Sequence, residues 1–159
     1  MKKNILVSAC LLGQPCRYDG KSKPCERVIA LSDTYNLIPI CPEVMGGLPT
    51  PRTPSEICGA RVMMKDGRDV TENYNQGAEK ALELARKNVC TVAILKEKSP
   101  SCGSGLIHNG LFDGGLVEGD GITSTKLPSS AILAMRSRAV SLPASRCSLR
   151  RFSSPSMMD

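Results

Sequence analysis

Short apolar runs separated by Gly, Pro and polar stretches dominate the first 120 or so residues of the chain. Residues 4–9 (NILVSA) form one such run, which predicts a short buried strand. Residues 25–35 (CERVIALSDTY) carry apolar Val28, Ile29 and Leu31 at helical spacing. Residues 36–40 (NLIPI) predict a second strand, and Pro39 inside it implies a sheet edge, because proline removes a ladder donor. Residues 42–58 are rich in Pro and Gly and read as one long irregular loop, a length often associated with function. Residues 71–88 show the clearest helical periodicity, through Tyr74, Ala78, Ala81, Leu82 and Ala85. Thr71 is the expected cap, Glu72 lies in the first turn, and Arg86 and Lys87 sit near the C-terminal end. Residues 91–96 (TVAILK) predict a third strand, followed by the loop KEKSPSCGSG. Within 106–117, Asn109-Gly110 predicts a two-residue hairpin turn. From about residue 124 the periodicity is lost, and a helical turn or two is expected within 130–140. No internal repeat occurs.

Strand and helix alternate over most of this length. That order predicts a small single α/β domain with a mainly parallel, Rossmann-like sheet. Cys10, Cys41 and Cys102 each fall just beyond the C-terminal end of a predicted strand. Open α/β sheets bind ligands in the crevice outside those ends. Three cysteines distant in sequence are therefore expected to meet on one irregular, cysteine-bearing face.

Composition narrows the function classes. Aromatic residues make up 3% of the 159 residues, and Trp is absent, so few rings are available to stack along a nucleic-acid strand. The net charge of +6 is unevenly placed. Residues 1–121 hold 15 Lys and Arg against 14 Asp and Glu, whereas 122–159 hold 6 against 1. The nearly neutral body argues against a long nucleic-acid partner. No membrane-length apolar run is present, and the run between Lys3 and Cys10 is too short for a secretory leader. A cytoplasmic location is expected, where the eight cysteines remain thiols. The oligomeric state is not legible.

The chemistry-bearing residues cluster in three segments. Thiolates at Cys10, Cys41 and Cys102 would select zinc, copper(I) or an iron–sulfur cluster; the alternative is that they pack as small apolar side chains. Cys16 is a candidate fourth ligand, which would close a four-cysteine zinc site, or it packs beside the site. Glu43, two residues past Cys41, is a candidate general base or a solvated loop carboxylate. Ser99 and Ser101 could hydrogen-bond a substrate or organise a turn. Arg17, Tyr18 and Asp19 could bind a polar ring, or Arg17 and Asp19 could pair structurally. Arg52 reads as a solvated loop residue with some prospect of meeting an anion. His108, the sole histidine, reads as a structural or exposed turn residue. Cys25, Cys58, Cys90 and Cys147 read as core or incidental. No C-x-x-C pair supports a thiol redox protein.

Three segments, SACLLGQPCRYDG, CPEVMGGLPTPRTPSEI and KEKSPSCG, resemble the signatures of the bacterial thiouracil desulfidase family, also known as domain of unknown function 523. The resemblance spans about residues 4–123 and defines 1–123 as a desulfidase-like domain. It implies a 4Fe-4S cluster on Cys10, Cys41 and Cys102 with one iron open to substrate sulfur. It also implies hydrolytic, non-redox removal of sulfur from a small thiolated nucleobase or nucleoside such as 4-thiouracil. Glu43 and Ser99 or Ser101 would assist proton transfer. A zinc-binding structural module is the alternative. After GDGIT the resemblance leads one to expect a short Ala/Leu-rich helix and a final strand. The Ser/Arg-rich 124–159 departs from that and is expected to be a disordered or frameshifted tail.

Overall fold

A computed structural model describes residues 1–127 and the backbone strand Ile132–Met135. Its main sheet holds four parallel strands in the order β2 (Asn36–Ile40), β1 (Asn4–Ser8), β5 (Val92–Lys96) and β8 (Ile132–Met135). The expected α/β class is thus present. Strands β1 and β5 are neighbours, although the chain leaves β1 toward β2 on the other side. That reversal makes the C-terminal ends of β1 and β5 a topological switch point, where open sheets take their ligands. Pro39 does lie in an edge strand, since β2 pairs only with β1.

Both faces of the sheet are covered, which explains why β1 and β5 are near-continuous apolar runs. Leu6, Ala93 and Leu95 point into a core shared with Ala81 and Ala85 of α3 (Thr71–Lys87). Ile5, Val7 and Ile94 point the other way, onto Val28 of α1 (Glu26–Ile29) and Leu11. A 3-10 turn, Ala30–Asp33, continues α1, so the helix expected over 25–35 is split. The Thr71 hydroxyl does not cap α3. It accepts the Val62 N–H at 2.9 Å and donates to Asp69 Oδ1 at 2.6 Å, tying the helix start to β4 (Arg61–Met64).

Residues 42–58 are not one irregular loop. Pro42–Met45 form α2, with Pro42 in the first turn, where a missing N–H costs nothing. Ser55–Cys58 form β3, which pairs antiparallel with β4 across Gly59-Ala60. A third core of Leu48, Val62, Met64, Val70 and Tyr74 lies beneath this hairpin. Helix α2 lies directly on α3 through two glycines. A Cβ on Gly77 would collide with the Pro42 carbonyl, and one on Gly46 with the Asn73 carbonyl. Asn73 Nδ2 and Lys80 Nζ then donate to the Gly46 and Met45 carbonyls at 2.9 and 3.0 Å. These contacts fix the helix that carries Glu43.

The Asn109-Gly110 pair does not make a two-residue turn. Strands β6 (Leu106–His108) and β7 (Leu116–Glu118) are joined by a seven-residue loop instead. Asn109 spends its side chain within that loop, accepting the Leu111 N–H and donating to Asp113. Helix α4 (Ile122–Lys126) follows. Where a helical turn was expected within 130–140, Ile132–Met135 extend the sheet beside β5. The rest of that stretch, and Cys147, lie outside the described residues.

Candidate active site

One cleft of about 360 Å³ opens at the C-terminal ends of β1, β2 and β5. Cys10, Cys16, Cys41 and Cys102 line it, together with Glu43, Ser99, Ser101, Arg52, Arg17, Tyr18 and His108. Residues expected from three separate segments therefore share one wall. Cys10 sits in the 3-10 turn Ala9–Leu12 directly after β1, and Cys41 lies between β2 and α2 as the residue preceding the helix. Cys102 is reached through the turn after β5. Cys10 and Cys102 are buried and Cys41 is half-buried.

The thiols are coupled. The Cys41 thiol donates to the Cys16 carbonyl at 3.6 Å, and the Cys16 thiol stands close enough to those of Cys10 and Cys41 to shift both. Cys16 draws the Cys10 thiol below its ordinary range, assisted by the nearby Lys96 ammonium. Cys16 and Cys41 are pushed up, each chiefly by a neighbouring thiol. Burial pushes Cys102 up to about 12. Lys96 is itself pulled down, by burial first.

Glu43 sits at the centre of a directed network. Arg52 donates to its Oε2 through Nε at 2.8 Å, and Nη2 makes an ion-pair contact with the same oxygen at 2.7 Å. The same guanidinium donates to the carbonyls of Cys16 at 2.9 Å and Pro49 at 3.1 Å, and to Thr50 Oγ1 at 3.1 Å. The Arg52 side chain is only 3% exposed. It is a buried clamp rather than the solvated loop residue expected. The Ser101 hydroxyl donates to Glu43 Oε1 at 3.0 Å. Ser99 Oγ accepts the backbone N–H groups of Ser101 and Cys102 at 3.1 and 3.2 Å. Its own proton is therefore free to point at Ser101 Oγ, 2.9 Å away. Ser101, not Ser99, meets the carboxylate, and it also lies 3.7 Å from Cys102 Sγ.

Other expectations divide. Arg17 and Asp19 pair at 3.3 Å, and Arg17 lies 5.9 Å from the Tyr18 ring centroid, so the pair and the cleft-lining role coexist. His108 is not an exposed turn residue. It ends β6 and faces the cleft, with Nδ1 buried and unpartnered. Cys25 and Cys90 pack against the two sheet cores, and Cys58 lies 3.3 Å from the Gly110 carbonyl. Several lining residues escaped sequence reasoning, among them Lys96, Phe112, Tyr74 and Glu56. Tyr74, read as a core position, lines the cleft near Ser55 and Glu43, and burial raises its pKa. Glu56 is 7% exposed and accepts the Phe112 N–H at 3.1 Å. A tyrosine on an otherwise alanine face was the available signal for Tyr74, because a buried hydroxyl needs a partner.

The donor set bears on which metal centre could be held. No group of three or more His, Cys, Asp or Glu among the described residues is arranged to hold a single metal ion, so the zinc alternative gains no support. Four soft thiols line one cavity, with a lysine ammonium beside Cys10, a donor set whose chemistry suits an iron–sulfur cluster held by thiolates.

A parallel α/β domain with thiols and a clamped carboxylate at its switch point belongs to the class of metal-dependent enzymes with an active site at the sheet's C-terminal edge. The family can be named. The model of the 2-thiouracil desulfurase family matches residues 5–138, and the chain belongs to that family. The uncharacterized protein YbbK of Bacillus subtilis (strain 168) is 44% identical over 133 residues, covering 77% of this chain and 88% of YbbK. The solved structure of the [4Fe-4S]-dependent thiouracil desulfidase TudS superposes with a TM-score of 0.78 at 47% identity, covering 84% of this chain and 91% of TudS. Among the described residues, no helix is long and apolar enough to cross a membrane.

Proposed function

We propose that the chain is a 4Fe-4S-dependent desulfidase that removes sulfur hydrolytically from a small thiolated pyrimidine, as a free base or nucleoside. The observation that carries this reading is the direct link from Arg52 through Glu43 to Ser101 in the cleft lined by Cys10, Cys16, Cys41 and Cys102. Cys10, Cys41 and Cys102 would hold the cluster, and Cys16 is left out of the ligand set. When bound, the cluster would supply a Lewis-acidic iron for the substrate sulfur.

The protein's own groups handle the protons. Water adds its oxygen to the ring carbon, the C–S bond breaks, and sulfur leaves as sulfide with no net change in oxidation state. Arg52 occupies Glu43 Oε2 and orients the carboxylate. Glu43 Oε1 is then the atom that takes the water proton. Ser101, already donating to Oε1, passes a proton between the carboxylate and the reacting ring, and Ser99 holds Ser101 in that orientation. A cytoplasmic setting suits the seven described cysteines, all of them free.

The test is turnover by the anaerobically reconstituted protein. Sulfide and uracil should appear in equal amounts from 4-thiouracil or 2-thiouracil, without added reductant. Release that requires an electron donor, or no release from either isomer by iron-loaded protein, contradicts the proposal.

A further inference from the structure

Aromatic side chains are scarce here: three Tyr, two Phe and no Trp. Yet Tyr18, Tyr74 and Phe112 all line the cleft. Two of these rings have other commitments. Tyr74 is 1% exposed and packed into the core with Leu48, Val62, Met64 and Val70, and Tyr18 is 44% exposed beside Arg17. Phe112 has no polar atom to explain its place. Its backbone φ is +54°, a left-handed conformation that a bulky residue adopts only at a cost, and such residues cluster at ligand sites.

The surroundings hold that conformation in place. The Phe112 N–H donates to Glu56 Oε2 at 3.1 Å, and Glu56 is buried on β3. The Cys58 thiol, also on β3, lies 3.3 Å from the Gly110 carbonyl. Asp113 Oδ1 accepts the Gly115 N–H and the Asn109 amide, both at 2.8 Å. A buried polar side chain needs a partner, and Glu56 finds one in the backbone of a residue that lines the cleft.

We propose that Phe112 is a specificity-determining residue whose ring is the stacking face for the planar pyrimidine, and that Glu56 is the positioning residue that holds it there. The inference rests on the thiouracil reading of the cleft. Stacking on an aromatic ring tolerates any flat base but rewards flatness. The cleft therefore selects an unsaturated ring over a puckered one with the same polar edge.

The test is calorimetric titration of the iron-loaded protein with uracil and with 5,6-dihydrouracil, which keeps the carbonyl and N–H groups but is not flat. Uracil should bind about tenfold more tightly than dihydrouracil. Phe112→Leu should remove that advantage by weakening uracil alone, while Phe112→Tyr stays within about twofold of the parent. Glu56→Ala should behave like Phe112→Leu, whereas Glu56→Gln, whose carbonyl can still accept the Phe112 N–H, should recover most of the selectivity. Iron content and thermal midpoint should be unchanged in Phe112→Leu. Equal binding of the two rings by the parent, or undiminished uracil binding by Phe112→Leu, overturns the inference. Sulfide release from thiouracil, measured on the same preparations, separates the two claims. Ring selectivity without sulfide release upholds the stacking face and refutes the desulfidase reading. Sulfide release with an inert Phe112→Leu change refutes the stacking face alone.

Discussion

The cleft has two unlike sides. The thiol side is built from the ends of three adjacent parallel strands, backed by cores on both sheet faces. The other side is built from two short antiparallel hairpins, β3–β4 and β6–β7, and β7 is exposed along its whole length. On the first side, position comes from the sheet. On the second, β3–β4 rests on its own small core, and the β6–β7 loop is held to it by hydrogen bonds such as the one from the Phe112 N–H to Glu56. The difference matches a division of labour: bond-breaking groups need fixed geometry, whereas ring selection tolerates a surface adjusted by loops. Losses on the thiol side should therefore be all-or-none, and losses on the hairpin side graded.

The strongest challenge to that contrast is ligand removal. Cys10→Ser, Cys41→Ser or Cys102→Ser should each abolish iron retention and sulfide release, while Cys16→Ser keeps its iron. Loss of iron in Cys16→Ser would move that thiol into the ligand set. Next is Glu43→Gln, which should retain iron and lower kcat by about 10²- to 10⁴-fold, the span of general acid–base catalysis. Near-normal turnover would remove Glu43 from the base role. Gly77→Ala probes how the carboxylate is placed. In an exposed helix that change gains up to about 1 kcal/mol, but here the new methyl meets the Pro42 carbonyl. It should instead cost about 1–3 kcal/mol by overpacking and lower kcat through displacement of α2. A more stable, fully active variant would show that α2 does not set Glu43.

The smallest effect expected is on metal-free protein. Burial raises the Cys102 thiol from about 9 to about 12. Between those values the folded chain keeps a proton that the unfolded chain has released, so stability falls as pH rises through this window. Cys102→Ser should flatten part of that fall in a thermal-midpoint series from pH 8 to above pH 10.

The thiol side was also the legible one. Apolar runs such as NILVS and VAILK announce buried strands, and a cysteine placed directly after one is aimed by it. The rest of the cleft was hidden for physical reasons. Helix α2 has four residues, too few to show a period. Strand β3 lies among prolines that read as loop. Asn109-Gly110 looked like a hairpin turn because dipeptide chemistry cannot reveal that Asn109 is bonded to Asp113 across the loop. Arg52 looked solvated because its burial depends on Glu43, nine residues earlier, and on the Cys16 carbonyl, 36 residues earlier. Ser99 and Ser101 were equivalent in sequence. Only the two backbone N–H groups accepted by Ser99 turn its proton toward Ser101.

The most direct test of the central claim is to count iron, sulfide and zinc per chain after anaerobic reconstitution. The account predicts about four irons and four acid-labile sulfides, a brown protein, and both counts lost together in Cys102→Ser. A colourless protein that holds one zinc, and loses it in Cys16→Ser, would contradict it.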